Sequence, residues 1–275
     1  MAVSMSTLVM SALGDLRIHP VSKWIRASSR GTTVVSSKQA RVVWEPRRVV
    51  PSYAVPIGDV YGDLIPYSGE AATEMPVQLS VDAPPVLDPR TPFSVHTCAG
   101  EALTIRTSHG DLAGAAFAPD DADLAGYVVL DWEAFSEWME EDERVLGHPH
   151  DPFDRIDCLR TSRHVLVSVD GEVLADTTHA TLLFETPLPM RYYLPRGDVR
   201  MDLLRPSTRQ TTCAYKGVAS YWSLDGDEAR ADIAWSYEDP LHDALPVKDM
   251  ICFFTERLDL TVDGQEIPRP LTPWS

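Results

Sequence analysis

Apolar and polar residues alternate with a period of two through much of the chain, the pattern of half-buried β-strands. In the second half it is clearest in HVLVSVDGEVLADT (164–177), where Asp170-Gly171 fits a tight hairpin turn between two strands. ATLLFET (180–186), RYYLP (191–195), SYWSL (220–224), ARADIAWSYE (229–238) and MICFFTERLDLTV (250–262) extend the series of short strands, with Pro187 and Pro189 as punctuation. WIRAS (24–28) shows the same alternation in the first half. One stretch, DWEAFSEWMEEDERV, breaks it. Trp132, Phe135 and Met139 fall at helical spacing behind Asp131, a good N-cap, so a helix is expected over 131–145 with its apolar stripe in the core.

The strand pattern repeats. YAVPIGDVYGDL (53–64) and YYLPRGDVRMDL (192–203) share Tyr, Pro, Gly, Asp, Val, Asp and Leu at an offset of 139. Upstream the offset is 140, and Gly31, Ala40 and Glu45 fall on Gly171, Ala180 and Glu185. Farther downstream the halves drift, with Cys98 set against Cys213 and Ala116-Phe117 against Ala234-Trp235. A match this long indicates tandem duplication of one module.

The expected organisation is an N-terminal tail (1–15), a divergent first β module (16–146) ending in the helix, a proline-rich linker (147–159), and a second β module (160–275). In the linker His148, His150, Asp151 and Asp154 are metal-ligand types, but their spacing matches no metal motif and Pro149 and Pro152 stiffen the backbone. A rigid hinge is the better reading, with no metal and no cofactor expected.

Composition narrows the function classes. A net charge of −17 excludes a general nucleic-acid binder. Residues 1–50 carry about +6, so a basic edge joins an acidic body; it either seats an anion or lies against its own acidic neighbour. Cys98, Cys158, Cys213 and Cys252 are far apart, which argues against a disulfide framework and a zinc ribbon. No run reaches the roughly 18–20 apolar residues of a membrane span. With no secretory signal in the first residues, a cytoplasmic protein without membrane partners is expected.

The motifs of the second half, VxVxGExxADT, YYxPRxDVRMDLL, TxCxYKGxASYWSL and IAWSYEDP, resemble those of the bacterial and fungal domain-of-unknown-function family 427. VWEPRRVVPSYAVP and AFAPDDADLAGYVVLDWEAF extend the resemblance over the first half. It implies a mainly β fold: two tandem compact bent-sheet modules, similar to the Mss4-like β-tent class without its usual zinc cysteines, with one helix after the first. The family's loose nucleotidyltransferase-like label finds no glycine-rich phosphate loop or metal-binding carboxylate pair here.

Candidate chemistry concentrates between residues 190 and 250. In TTCAYKGVASYWSL, Cys213, Tyr215 and Lys216 precede Gly217. A desolvated Lys216 would act as base or Schiff-base nucleophile, and a charged one as an anion anchor; the plain alternative is a surface lysine covering aromatic side chains. The first half has CAGE there, without Lys or Tyr. In AWSYEDP, Trp235 and Tyr237 share a face. Glu238 and Asp239 point to opposite faces, so one of them is the acid–base candidate and Asp239 also suits a turn cap. Arg196 and Arg200 replace Ile57 and Tyr61 of the first half and form a candidate anion clamp, with pairing to surface acids as the alternative. Asp59/Asp198, Asp63/Asp202 and Glu45/Glu185 are shared and read as structural.

The site expected is therefore Lys216, Tyr215, Tyr237, Glu238 and Asp239 for chemistry. Arg196, Arg200, Tyr193, Cys213, Trp222 and Trp235 are expected to hold a small organic ligand, anionic if an arginine binds it. No serine elbow, dinucleotide fingerprint or HExxH is present. The protein is either a small-molecule binder, a cofactor-independent lyase, isomerase, cyclase or hydrolase, or a non-catalytic interaction scaffold.

Overall fold

A computed structural model of the protein describes residues 2, 4, 7–8, 11–78, 84–185, 188–224, 226 and 230–275. Six residues of the expected tail, Thr186 and Ala229 at the ends of expected strands, and Pro187 between two of them lie outside these. The chain divides into two compact units that change over between Asp151 and Pro152. Both are built from antiparallel sheets, and among the described residues no helix is long and apolar enough to cross a membrane.

In the first unit a seven-stranded sheet runs in the order Arg17–Pro20, Arg41–Trp44, Ser52–Pro56, Tyr127–Leu130, Gly110–Pro119, Gly100–Thr107, Asp63–Pro66. A four-stranded sheet has the order Glu143–Val145, Glu137–Glu140, Ile25–Ser29, Thr32–Ser37. In the second unit the seven strands are Ile156–Arg160, Thr181–Glu185, Leu188–Leu194, Ile251–Phe253, Ala234–Ser236, Gly217–Leu224 and Leu204–Cys213. Its four-stranded sheet runs Gln265–Ile267, Asp259–Val262, Val165–Val169, Glu172–Thr177. Strand for strand, the two orders coincide. Both hairpins of the smaller sheets also slip register at one place, between Ala27 and Ser28 and between Val167 and Ser168.

Period-two alternation explains why each larger sheet is buried on both faces. In the second unit Leu182, Tyr192 and Leu194 point inward with Val165, Val167, Leu260 and Phe253 to form the core between the two sheets. Leu183 and Tyr193 point the other way, into a second cluster with Tyr221, Trp235, Tyr237, Cys252 and Phe254. A 3₁₀ turn, His242–Val247, packs Ala244 and Val247 onto that outer cluster. The corresponding cluster of the first unit is smaller: Val43, Ala54, Phe117, Leu124 and Val129.

The helix expected over 131–145 does not form. Asp131 does cap, accepting from Glu133 N at 3.1 Å, but only a 3₁₀ turn, Trp132–Ala134, follows. Glu137–Glu140 and Glu143–Val145 then make a hairpin, with Glu141 at φ +50 in its turn. The reason is a distant partner, since Glu137–Glu140 pairs with Ile25–Ser29 and gains ladder hydrogen bonds that outweigh local helical spacing. Trp138, not Met139, is buried, stacked on Trp132 at 4.8 Å. The expected linker is also shorter than 147–159, because Ile156–Arg160 is the edge strand beside Thr181–Glu185.

Candidate functional site

The turn Ala214–Lys216 joins the strands Leu204–Cys213 and Gly217–Leu224 at the margin of the outer cluster of the second unit. Gly217 permits this turn. It sits at φ +95, and a Cβ there would meet Asp239 O and Leu241 N at 3.4 Å. Leu241 N donates to Lys216 O at 3.1 Å, tying the turn to the residues that follow the AWSYEDP strand.

Lys216 is buried, 8% exposed, and its ammonium is paired with the Glu185 carboxylate. Burial works to lower its pKa, but the Cys213 and Glu185 side chains outweigh it and hold the lysine above its usual value. The neutral amine required of a base or Schiff-base nucleophile is thus disfavoured, and Lys216 is a fixed cation. Around the pair stand phenols that burial keeps protonated. Tyr237, 4% exposed, has its pKa pushed well up by burial and then by Cys213 and Glu185. Tyr193 is pushed up likewise and accepts from Trp235 Nε1 at 3.0 Å. Tyr215 is buried in the turn itself, and Cys213 is half-buried.

The remaining candidates lie elsewhere. Glu238 and Asp239 are exposed. Glu238 accepts from Ser236 Oγ at 2.6 Å, and Ser236 Oγ in turn accepts from Trp222 Nε1 at 2.8 Å. Arg196 lies over the Trp222 ring, 4.8 Å from its centroid, and 3.7 Å from Glu238. Arg200 is not the second jaw of a clamp, because its guanidinium is held side-on by Asp202 at 2.8 and 2.6 Å. Adjacent strand residues face opposite sides, so the Trp222–Arg196–Glu238 group and the Lys216–Glu185 group are separate features.

Strand registers also correct the expected match of Cys98 with Cys213. Ala54 pairs with Val129, and Tyr193 with Cys252; Val129 then pairs with Phe117, Cys252 with Trp235, and these with Ala102 and Tyr221. Counting back along the last strand sets Cys98 against Gly217, and Thr97 against Lys216. Glu45 directly follows the strand Arg41–Trp44, and Glu185 ends the strand Thr181–Glu185 that holds the same place in its sheet. Glu45 accepts from Thr97 N at 2.7 Å and meets His96 Nδ1 at 3.0 Å, with His96 stacked on Phe117 at 3.7 Å.

Two ion clusters carry no strong sequence signal. Arg191 grips Glu256 with two bonds of 2.9 and 2.7 Å, and Thr272 Oγ1 donates to the same carboxylate at 2.7 Å. The Trp235, Phe254 and Trp274 rings surround the guanidinium at 5.4–6.0 Å. In the first unit, buried Glu140 meets Lys23, Tyr53 and His150. His150 is thus engaged by a carboxylate, and among the described residues no group of three or more His, Cys, Asp or Glu is placed to hold a metal.

The fold and site define a β protein built on antiparallel sheets, with a buried lysine–glutamate pair in its second unit. Residues 157–264 match the family described as a domain of unknown function (DUF427). No curated protein matches the chain.

Proposed function

We propose that the chain is a tandem pair of bent-sheet modules of the Mss4-like β-tent kind, and that the second binds a small organic anion without transforming it. Identical strand orders and the shared register slip support the duplication. The match of residues 157–264 to the DUF427 family supports the assignment of the second module.

The observation that carries the binding reading is Arg196. Its guanidinium lies over Trp222 with 39% of the side chain exposed, and its carboxylate partner stands 3.7 Å away, beyond a good hydrogen bond. An arginine on an aromatic face presents planar donors to a carboxylate or phosphate while the ring takes the apolar part of the ligand. The protonated, neutralised Lys216 argues for binding over lysine chemistry.

A thermal-shift screen against pooled metabolites tests this on wild type, Arg196→Ala and Trp222→Leu. An anionic metabolite is expected to raise the Tm of wild type and to leave both variants unmoved. A hit that stabilises all three equally, or the absence of any anionic hit, overturns the reading in favour of an interaction scaffold.

A further inference from the structure

Several arginines of this acidic protein are matched to a carboxylate of their own, as in Arg106–Asp111, Arg200–Asp202 and Arg269–Asp259. Arg209 and Arg257 instead share one residue. Both converge on Asp232: Arg209 Nη1 reaches its carboxylate at 3.4 Å, and Arg257 Nη2 donates to its backbone carbonyl at 2.7 Å. The other Nη of Arg257 donates to Ala231 O at 3.2 Å, and its Nε, though buried, bonds to no described group. Backbone carbonyls therefore hold Arg257 where a carboxylate side chain would normally grip it. Glu256 is the neighbouring acid, and it is already taken by Arg191.

The two guanidiniums stand on an aromatic base. Arg209 lies over Tyr221 at 4.7 Å and Arg257 over Phe254 at 4.9 Å; the two rings are nearly parallel, with centroids 6.4 Å apart. Stacking fixes both side chains at low entropic cost and leaves their edges for hydrogen bonding. Asp232 is itself held in an uncommon conformation, φ +52, by a 3.0 Å bond from its N–H to Ser223 Oγ. The Asp232 carboxylate thus meets Arg209 and its backbone carbonyl meets Arg257. The pKa of Arg257 is lowered, first by burial and also by Arg209, against the pull of Asp232 and Glu256.

We propose that Arg209 and Arg257 form a receptor for a small oxyanion, a phosphate or carboxylate group, on the outer face of the second unit. Planar guanidiniums match either oxyanion with paired N–H donors. Asp232 competes with the ligand for Arg209. Tyr221 and Trp222 are neighbours on one strand and face opposite ways, so this receptor is distinct from the Arg196–Trp222 group.

Isothermal titration of the full chain with inorganic phosphate and with succinate, at constant ionic strength, decides the matter. Wild type is expected to bind at least one of them saturably. Arg209→Gln, an exposed substitution, weakens that binding by at least about tenfold, equivalent to about 1.4 kcal/mol. Arg257→Gln does the same, and if it lowers Tm without added anion then Arg209→Gln alone is decisive. Asp232→Asn, which tolerates the same backbone angle, tightens binding by removing the competing carboxylate. Arg106→Ala, in the first unit, leaves it unchanged. Stronger binding of phosphate assigns a phosphate ester, and of succinate a carboxylate. Absence of saturable binding in wild type, unchanged affinity in Arg209→Gln, weakening in Asp232→Asn, or loss in Arg106→Ala overturns the proposal.

Discussion

Glu45 directly follows the strand Arg41–Trp44 and Glu185 ends the strand Thr181–Glu185, which holds the same place in an identical strand order, yet each acid is held by different chemistry. A backbone N–H and an imidazole hold Glu45, whereas the ammonium of Lys216 holds Glu185. The carboxylate is the shared fixture and its cation is what differs. The second unit accordingly depends on a full ion pair where the first relies on a loop folded over the acid.

Removing Lys216 should therefore cost stability. Lys216→Met leaves Glu185 buried and unpaired and is expected to lower unfolding free energy by about 3–5 kcal/mol, while Lys216→Met with Glu185→Leu recovers most of it. Denaturant titration measures both. A loss below about 1 kcal/mol in the single variant would show that the pair is not structural. Because the folded-state pKa of Lys216 is raised, its contribution is complete below about pH 10.5 and declines only above it.

Glu140 has the opposite sign. Burial pushes its carboxyl up, but hydrogen bonds from His150, Lys23 and Tyr53 prevail and hold it at about 2. Its stabilisation, about 3 kcal/mol from that shift, is complete above about pH 4.5 and vanishes as pH falls towards 2. Glu140→Gln should flatten this part of the acid-stability profile of the first unit, read by tryptophan fluorescence. An unchanged profile would remove Glu140 as its source.

Thr272 tests the buried arginine site. Thr272→Val deletes one donor to Glu256 without changing side-chain shape, and calorimetry should register a loss of about 2 kcal/mol. If Tm does not move, the C-terminal residues do not brace the Arg191–Glu256 pair.

Gly217→Ala puts a side chain at φ +95, a conformation that L residues rarely adopt, in van der Waals contact with the Asp239 carbonyl. A loss of about 1–3 kcal/mol is expected. Gly197→Ala meets open space and should stay within about 0.5 kcal/mol. Equal effects in the two would argue against close approach at Gly217.

The four free thiols should label unequally. Burial is the main cause that pushes Cys252 and Cys98 to about 12, with Glu45 adding to the effect at Cys98. At pH 8 neither should react with iodoacetamide until denaturant is added, as peptide mass spectrometry would show. Rapid native labelling of Cys252 would contradict its place in the outer cluster.

Local signals in the sequence were good guides to strands and turns. Asp170-Gly171 adopts positive φ at both positions, as a tight hairpin requires, and Asp198 accepts from Thr177 Oγ1 at 2.6 Å, in keeping with its structural reading. Long-range pairing was not legible. Trp132, Phe135 and Met139 have helical spacing, but Ile25–Ser29, more than a hundred residues upstream, recruits their segment into a sheet. The same limit applied to the site. Lys216 and Glu185 were each visible, one as chemistry and one as structure, and only the folded structure shows that they are partners. Glu256 gave no signal, since nothing near it in sequence indicates that Arg191 will meet it.

The strand Leu204–Cys213 ends the larger sheet of the second unit, with most of its side chains in solvent, Pro206 within it, and Arg205 and Arg209 along it. A foreign strand pairing there would meet a position without an N–H and would have to strip water from two guanidiniums. The border that presents arginines to small anions is by the same chemistry inhospitable to polypeptide, which disfavours strand addition at that edge.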